Sequence, residues 1–260
     1  MQRSQGKAIL AFKIRDGRTI LDRLYEDGCA KIRFSEPDQA ILINTAGGLT
    51  GGDDLSWSIE LPANGVAAIT TQASDKIYRA IEPTVASVKV KVALGPGARL
   101  HWLPQETILF SQSAVERTFD VELAADSSFL AVESLVFGRL AMGEVMKQVE
   151  VHDRWRVTRD HGLLHAENLR ISGSAADLLA RKAIGAYNTA FATLFLVCRD
   201  AEGYVDAART AIGDAGGASA FDGKLLARIA ASNAYELRKT VVSAIRALSG
   251  GRALPKVWAL

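Results

Sequence analysis

Apolar and polar positions alternate with period two along most of this chain, the signature of strands with one buried face. Residues 55–61 set Leu55, Trp57, Ile59 and Leu61 against Ser56, Ser58 and Glu60. Residues 87–94 set Val88, Val90 and Val92 against Lys89 and Lys91. A short apolar run at 40–45 and the segment 66–73 also read as strands. Turn residues separate consecutive runs at fairly regular intervals. Pro62-Ala63-Asn64-Gly65 lies between 55–61 and 66–73, and Asn-Gly is the strongest short hairpin signal. Gly95-Pro96-Gly97 leads from 87–94 into 99–103. Ala125-Asp126-Ser127 leads from 118–123 into 129–137. Asp160-His161-Gly162 leads from 145–158 into 163–171. The pattern predicts a string of hairpins arranged as layered sheets, a barrel or a solenoid. No residue-level repeat accompanies the spacing.

The last third changes period. Residues 175–186 are rich in alanine and leucine and fit helix or strand, 189–198 form an apolar run suited to a buried strand, and 204–212 carry weak helical signs. A helix starts at Asn233, a capping residue with Glu236 three positions on. Leu237, Val241, Val242, Ile245 and Leu248 make its apolar stripe, and Gly250-Gly251 end it. The tail, 254–260, is apolar and reads as docked on its own fold or on a partner. The chain is expected to be one domain over 1–260: β-rich over 1–200, α-containing over about 201–250, then a tail at 251–260.

Residues 44–53, N-T-A-G-G-L-T-G-G-D, hold Gly47, Gly48, Gly51 and Gly52 just before Asp53. A phosphate loop must open a helix, so that amide groups and the helix dipole face the phosphates. The residues after Asp53 instead alternate with period two, and there is no Gly-Lys-Ser/Thr. The glycines are expected at a tight crossing where backbones approach closely.

Composition narrows the class. A hydrophobic fraction of 48% with 23% charged residues suits a globular chain that buries a substantial core. The net charge of +2 offers no basic face for nucleic acid; Arg154, Arg156 and Arg159 read as one solvated strand face. No apolar run reaches the roughly 18 residues a membrane span needs, and Met1–Lys7 has no apolar signal core. Cys29 and Cys198 are too far apart for a zinc spacing and read as buried or half-buried thiols in a reducing compartment, so a cytoplasmic location is expected.

The candidate chemistry is carried by carboxylates. Glu133 interrupts an apolar strand, so it faces solvent or a polar interior, because an unpaired buried carboxylate is costly. Glu106 follows Leu103-Pro104-Gln105, and Glu144 closes 138–144. Such acids can serve acid–base chemistry, pass a divalent cation, or form ion pairs with, for instance, Arg139. His161 and His165 are four apart, but Gly162 and the alternation place them in a hairpin, as turn and sheet-surface residues. A histidine pair holding a transition metal stays open. Thr70, Thr71 and Gln72, followed by Lys76, Tyr78 and Arg79, make a polar patch suited to a protein interface or a small anion. No nucleophile elbow or Cys–His signature is present in the sequence.

Five blocks in order carry a resemblance that spans almost the whole chain: L-I-N-T-A-G-G-L-T-G-G-D (42–53), I-T-T-Q-A-S-D-K-I-Y-R (69–79), H-W-L-P-Q-E-T-I-L-F (101–110), V-E-S-L-V-F-G-R-L-A-M-G-E (132–144) and L-P-K-V-W (254–258). The chain resembles the UreD family of urease accessory proteins, called UreH in some bacteria. It departs from the pattern at His101, where the family often has an acid, and at Lys256, where it often has arginine. The resemblance implies a mainly β fold of stacked extended sheets, β-helix-like, with about two α-helices in the C-terminal third. It implies a scaffold and metallochaperone rather than an enzyme, one that binds urease apoprotein and UreF, meets the GTPase UreG through UreF, and helps deliver nickel, with an internal polar tunnel as the candidate route. No tightly bound cofactor or tight metal site is implied; nickel is in transit.

On that implication Asp53, Glu106, Glu133 and Glu144 are the conduit candidates, since weak oxygen sites in sequence pass an ion that imidazole or thiolate would hold. Thr71, Gln72, Lys76, Tyr78, Arg79 and Trp258 are the partner-interface candidates, Trp258 as an aromatic anchor or as packing on its own sheet. The alternative is a small cytosolic hydrolase or transferase built on Asp53, Glu106 and Glu133, which requires those carboxylates to share a pocket.

Overall fold

The computed structural model describes residues 3–81, 83–139 and 143–259; residues 140–142 of the fourth block and residue 260 of the tail lie outside them. Two sheets face each other. The first runs from β2 (Arg18–Gly28) through β1 (Gln5–Arg15), β5 (Asp54–Leu61), β8 (Ala86–Leu94), β11 (Ser113–Leu123) and β13 (Val149–Arg159) to β14 (Gly162–Gly173). The second runs from β3 (Ala30–Glu36) through β4 (Gln39–Asn44), β6 (Val66–Thr71), β9 (Arg99–Leu103), β12 (Ser128–Phe137), β15 (Ala190–Val197) and β17 (Lys224–Ala231) to β16 (Gly216–Phe221). The short strands β7 (Asp75–Ile77) and β10 (Thr107–Leu109) extend it beside β12.

The inner strands of both sheets are parallel and in register. The chain passes from one sheet to the other and back, coiling through β1 and β4, β5 and β6, β8 and β9, then β11 and β12. This is a β-solenoid of about four turns. Antiparallel pairs finish it at both ends: β1–β2 and β3–β4 at one, β13–β14 and β15–β17–β16 at the other.

Three of the expected hairpins are corners instead. The strands flanking Pro62–Gly65, Gly95–Gly97 and Ala125–Ser127 lie in opposite sheets. A period-two pattern fixes which face of a strand is buried, but not which neighbour it bonds. Leu55, Trp57, Ile59 and Leu61 on β5 therefore meet Ala67 and Ile69 on β6 across the core. Three true hairpins are marked by two consecutive residues in the left-handed region, the requirement of a type I′ turn. Asp16-Gly17, Asp160-His161 and Asp222-Gly223 meet it. At Asn64-Gly65 only Asn64 does, at φ 58°. The corners stack on each other: Asn64 N–H donates to Pro96 O at 2.7 Å, Gly97 N–H to Asp126 Oδ1 at 2.7 Å, and Asp160 N–H to Leu123 O at 3.0 Å.

The first core fills the space between the sheets. At its centre Phe119 stands 5.2 Å from Trp155 and 5.5 Å from Trp102, ring to ring. A second core lies on the outer face of the second sheet, under α2 (Val205–Ile212) and α3 (Ala234–Leu248). Asn233 caps α3, accepting from Glu236 N–H at 3.0 Å, while the Glu236 carboxylate pairs with Lys239. Leu237, Val241, Ala244, Ile245 and Leu248 are its buried face. The ambiguous segment at 175–186 resolves into a short α1 (Ala175–Ala180), capped by Ser174, and a turn. β16 and β17 are not marked by the pattern, because glycine and alanine blur the alternation over 216–231.

The glycine run sits at a close crossing, as its sequence predicts. A Cβ at Gly51 would meet the Thr84 carbonyl oxygen, and one at Gly48 the Tyr78 ring and Lys76 O. Backbone cannot yield as a flexible side chain can. Gly51→Ala should cost ~1–3 kcal/mol by overpacking, read as a lower thermal midpoint, while Gly17→Ala at an open turn reports only the backbone cost. Equal shifts for the two would contradict the crossing.

Candidate functional site

The five sequence blocks, spread over two hundred positions, meet in one region. Thr71 Oγ1 accepts from Gln105 N–H at 2.9 Å and Ser74 Oγ donates to Glu106 Oε2 at 3.1 Å, joining the second block to the third. Trp102 Nε1 donates to Glu133 Oε1 at 2.8 Å, joining the third to the fourth. Trp258 Nε1 donates to Leu103 O at 2.9 Å, bringing in the tail. Leu49 N–H donates to Lys76 O at 2.7 Å, tying the glycine loop to β7.

The conduit candidates separate. Asp53 is buried beside the glycine crossing, where Oδ1 accepts from Ser4 N–H and Oδ2 from Thr50 N–H, both at 2.8 Å. Glu106 is buried against α3 and accepts from Arg238 Nη1 at 3.1 Å. Glu144 closes an outer loop on Arg139, 3.0 Å from its Nε, and accepts Ser111 N–H at 3.0 Å. Partial burial would raise the Glu144 pKa, but these donors outweigh it and hold the group below its ordinary value. These three line neither of the two cavities that meet at Glu133. The three carboxylates of the hydrolase alternative, Asp53, Glu106 and Glu133, share no pocket.

Glu133 itself stands between two cavities. One, of about 40 Å³, lies inside the solenoid and is lined on its polar side by Thr71, Asp75, Gln105, Arg117 and Glu133. The other, of about 400 Å³, is lined on its polar side by Glu133, Asp153, Glu167, Thr193 and Arg228, and reaches the surface at the exposed Gly216, Gly217 and Ile184. At the neck the Arg117 guanidinium ion-pairs with Glu133 and lies 3.8 Å from Asp153 Oδ2. Its Nη1 has no hydrogen-bond partner among the described residues.

Alternation explains the gathering. Arg117 on β11 and Asp153 on β13 occupy inward positions of paired strands, Glu133 on β12 points inward from the opposite sheet, and β7 brings Asp75 alongside through β10. Burial pushes the Asp75 carboxyl up to about 6, against the pull of Arg117 and helped by repulsion from Glu133. Burial also raises Asp153 despite Arg117. Beyond them, Glu167 is held below its usual range: burial opposes this, but His165 and the Arg228 guanidinium, 2.8 Å away, prevail. His165 is not the sheet-surface residue expected. It points inward and stacks on Phe195, while His161 occupies the turn.

Sequence pattern singles out Glu133 but misses Asp75, Arg117, Asp153, Glu167 and Arg228. Asp75 lies inside the second block, and Asp153 breaks the inward apolar row Val151, Trp155, Val157 as Glu133 breaks its own strand. That shared signal marks both.

The interface candidates divide as well. Gln72, Lys76, Tyr78 and Arg79 are exposed, and Thr71 is half-buried. Tyr78 packs edge-on against Phe110, which carries the Arg139 guanidinium 4.4 Å above its ring, so the patch is continuous with the Glu144 loop. Trp258, by contrast, is buried in the second core, with Arg238 over its ring at 4.9 Å. It packs on the chain's own sheet.

Among the described residues, no group of three or more His, Cys, Asp or Glu side chains is placed to hold a metal ion. No described helix is long and apolar enough to cross a membrane. The class the fold defines is a two-sheet β-solenoid whose motif residues brace one another, with a buried carboxylate, Glu133, in the lining of two cavities. The profile of the family described as UreD urease accessory protein matches residues 4–259. Proteins described as "Urease accessory protein UreD" are similar over this whole chain. That of Rhizobium leguminosarum bv. viciae is 47% identical, with 100% of this chain and 96% of the relative covered. That of Mesorhizobium japonicum is 48% identical (100% and 95% covered), and that of Agrobacterium fabrum 43% (100% and 92%). The chain belongs to the UreD urease accessory protein family, whose members are maturation factors of urease and not catalysts.

Because Trp258 is buried, Trp258→Ala should destabilise the chain by ~3–5 kcal/mol, the cost of truncating a buried aromatic. Weaker partner binding without a fall in thermal midpoint would place Trp258 at an interface after all. For Asp75, the folded pKa of about 6 lies above the ordinary 3.8. The folded chain therefore holds more protons in that window, and the residue's contribution to stability falls as pH rises through it. The deficit is absent below 3.8 and complete above about 6. Asp75→Asn should be the more stable chain in urea unfolding at neutral pH, with the gap closing on acidification; a gap independent of pH would refute the assignment.

Proposed function

We propose that this member of the urease maturation machinery acts as a scaffold that passes nickel, its cargo, through its own interior to urease apoprotein. The observation that carries the reading is the meeting of two cavities at Glu133, with further carboxylates on both sides. Asp75 stands on one side, Asp153 and Glu167 on the other. Oxygen donors hold nickel less firmly than imidazole or thiolate. Spaced singly along a path, they offer successive weak sites, and each ion leaves as readily as it enters.

In this reading Glu133 is the central station of the passage. Asp53, Glu106 and Glu144 support it by fixing the glycine crossing, the α3 contact and the outer loop. The exposed patch of Gln72, Lys76, Tyr78 and Arg79 is the partner face, with Thr71 beneath it at the small cavity. UreF is the partner expected there or at α3, bringing UreG with it, and the chain works over 1–260 as one unit in the cytoplasm. The buried Trp258 then serves docking indirectly, by holding the tail against α3.

The test is reconstitution. The chain is co-expressed with urease apoprotein, UreF and UreG, and activity is assayed after adding nickel and bicarbonate. Gly217→Trp places a ring at the mouth of the larger cavity, where nothing lies within 4 Å of an added Cβ, so the fold should tolerate it. Activation should fall to the level seen without the chain, while the partners still co-purify. Glu133→Gln should also lower activation. Normal activation with the mouth plugged would defeat the transit reading.

A further inference from the structure

The small cavity beside Glu133 measures about 40 Å³, room for no more than a few water molecules. A passage through it has to widen there. Gln105 forms part of its wall, and that side chain is held from outside the solenoid. Its Oε1 accepts from Arg238 Nη1 of α3 at 2.6 Å. Its Nε2 is buried without a hydrogen-bond partner among the described residues. A buried donor left unpaired is costly, so the Arg238 contact, and not the amide's own satisfaction, sets where Gln105 lies. The same guanidinium reaches the wall a second way. Nη1 also donates to Glu106 Oε1 at 3.1 Å, and Glu106 Oε2 accepts from Ser74 Oγ at 3.1 Å, next to Asp75 in the wall. On the outer side Nη2 donates to Val257 O at 2.9 Å, and the fork lies over the Trp258 ring. One side chain thus spans the distance from helix and tail to cavity. At 19% exposed it can be reached from the surface. Lys239 follows it in the chain and Lys256 precedes the Val257 it binds; both are exposed.

We propose that Arg238 is a latch: from α3 it holds the wall of the small cavity closed at Gln105 and Glu106, and an acidic segment of a partner docking along α3 opens the cavity by offering the guanidinium another carboxylate. The exposed Lys239 and Lys256 on either side of it favour a segment of that charge. No covalent bond changes. Arg238 exchanges one carboxylate for another, Glu106 keeps its Ser74 bond as the opened cavity admits water, and the Gln105 amide is freed to turn. The latch makes Arg238 a positioning residue. Its use in transit rests on the scaffold reading with UreF at α3. A lysine would keep the charge, but not the planar fork that holds Gln105, Glu106 and Val257 at once.

The readout is amide hydrogen exchange in the full chain at neutral pH, followed by mass spectrometry. It compares the cavity wall (71–77 and 103–109) with α3, the tail and residues 151–157 of the first sheet. Arg238→Gln should speed exchange in the wall roughly tenfold or more, the scale of losing a hydrogen bond to a charged group, and leave 151–157 unchanged. Gln105→Met keeps the bulk of the wall and the other contacts of Arg238. It should speed exchange in the wall while α3 and the tail exchange as in wild type. A merely structural arginine would loosen α3 and the tail on removal and leave the wall alone. That pattern in a folded Arg238→Gln chain overturns the proposal. Where that variant does not fold, Gln105→Met decides, and a wall exchanging at the wild-type rate overturns it equally. A second arm measures the wild-type chain co-purified with UreF. Slower exchange in α3 with faster exchange over 103–109 supports the latch, and slower exchange in α3 without that gain overturns it. If α3 exchanges as in the free chain, UreF does not dock there and that part of the scaffold reading falls, while the free-chain variants alone judge the latch.

Discussion

Lateral hydrogen bonding between successive coils is the constraint on which this structure depends. Each inner strand is bonded in parallel to the coil before and the coil after, so no coil satisfies its backbone alone. The in-register stack aligns inward positions from one coil to the next. It also aligns corners, so that Asn64, Pro96, Gly97 and Asp126 bond across coils rather than within them. The two ends of such a stack would offer open edges, a liability for aggregation. Here antiparallel pairs close both ends, and the edge strand β2 is studded with charged side chains.

The same alignment builds the site. Arg117 and Glu133 meet across the core from opposite sheets of one coil, and the stacking of β13 on β11 sets Asp153 beside Arg117. Their burial is tolerable because each has a partner: Trp102 and Arg117 for Glu133, Arg117 for Asp153. Buried ion clusters are weak sources of stability, since desolvation offsets most of the attraction. Retaining one in the middle of an apolar solenoid speaks for a use other than holding the fold together. The raised pKa values of Asp75 and Asp153 express the cost of burial first, which the pull of Arg117 offsets only in part, with repulsion from Glu133 adding to it.

The second core has a different task. The helices and tail cover the outer face of the second sheet, and Arg238 ties them to the solenoid by reaching Gln105, Glu106 and the Val257 carbonyl while lying over Trp258. This couples the third and fifth sequence blocks through one guanidinium. The motif residues therefore serve two ends: some brace loops and the tail, and a smaller set lines the two cavities at Glu133. A motif marks a position under constraint, and only its surroundings say which constraint.

Much of the architecture was legible in the sequence. Period two marked the strands of the solenoid, Asn233 and its stripe marked α3, and the glycine run marked a close crossing, because each of these depends on residues near one another in the chain. Glu133 was legible for the same reason, as a charge in an apolar strand. The partners of each strand were not. Alternation says which face is buried, and corners and hairpins share turn residues, so Asn64-Gly65 read as a hairpin until the opposite sheet claimed its second strand. Nor could the sequence show that Asp53, Glu106 and Glu144 are satisfied locally, or that Arg117, Asp75 and Asp153 converge on Glu133. The convergence on Glu133 belongs to contacts between residues on different strands, and such contacts are set by how strands face and coils stack, which tertiary structure alone decides.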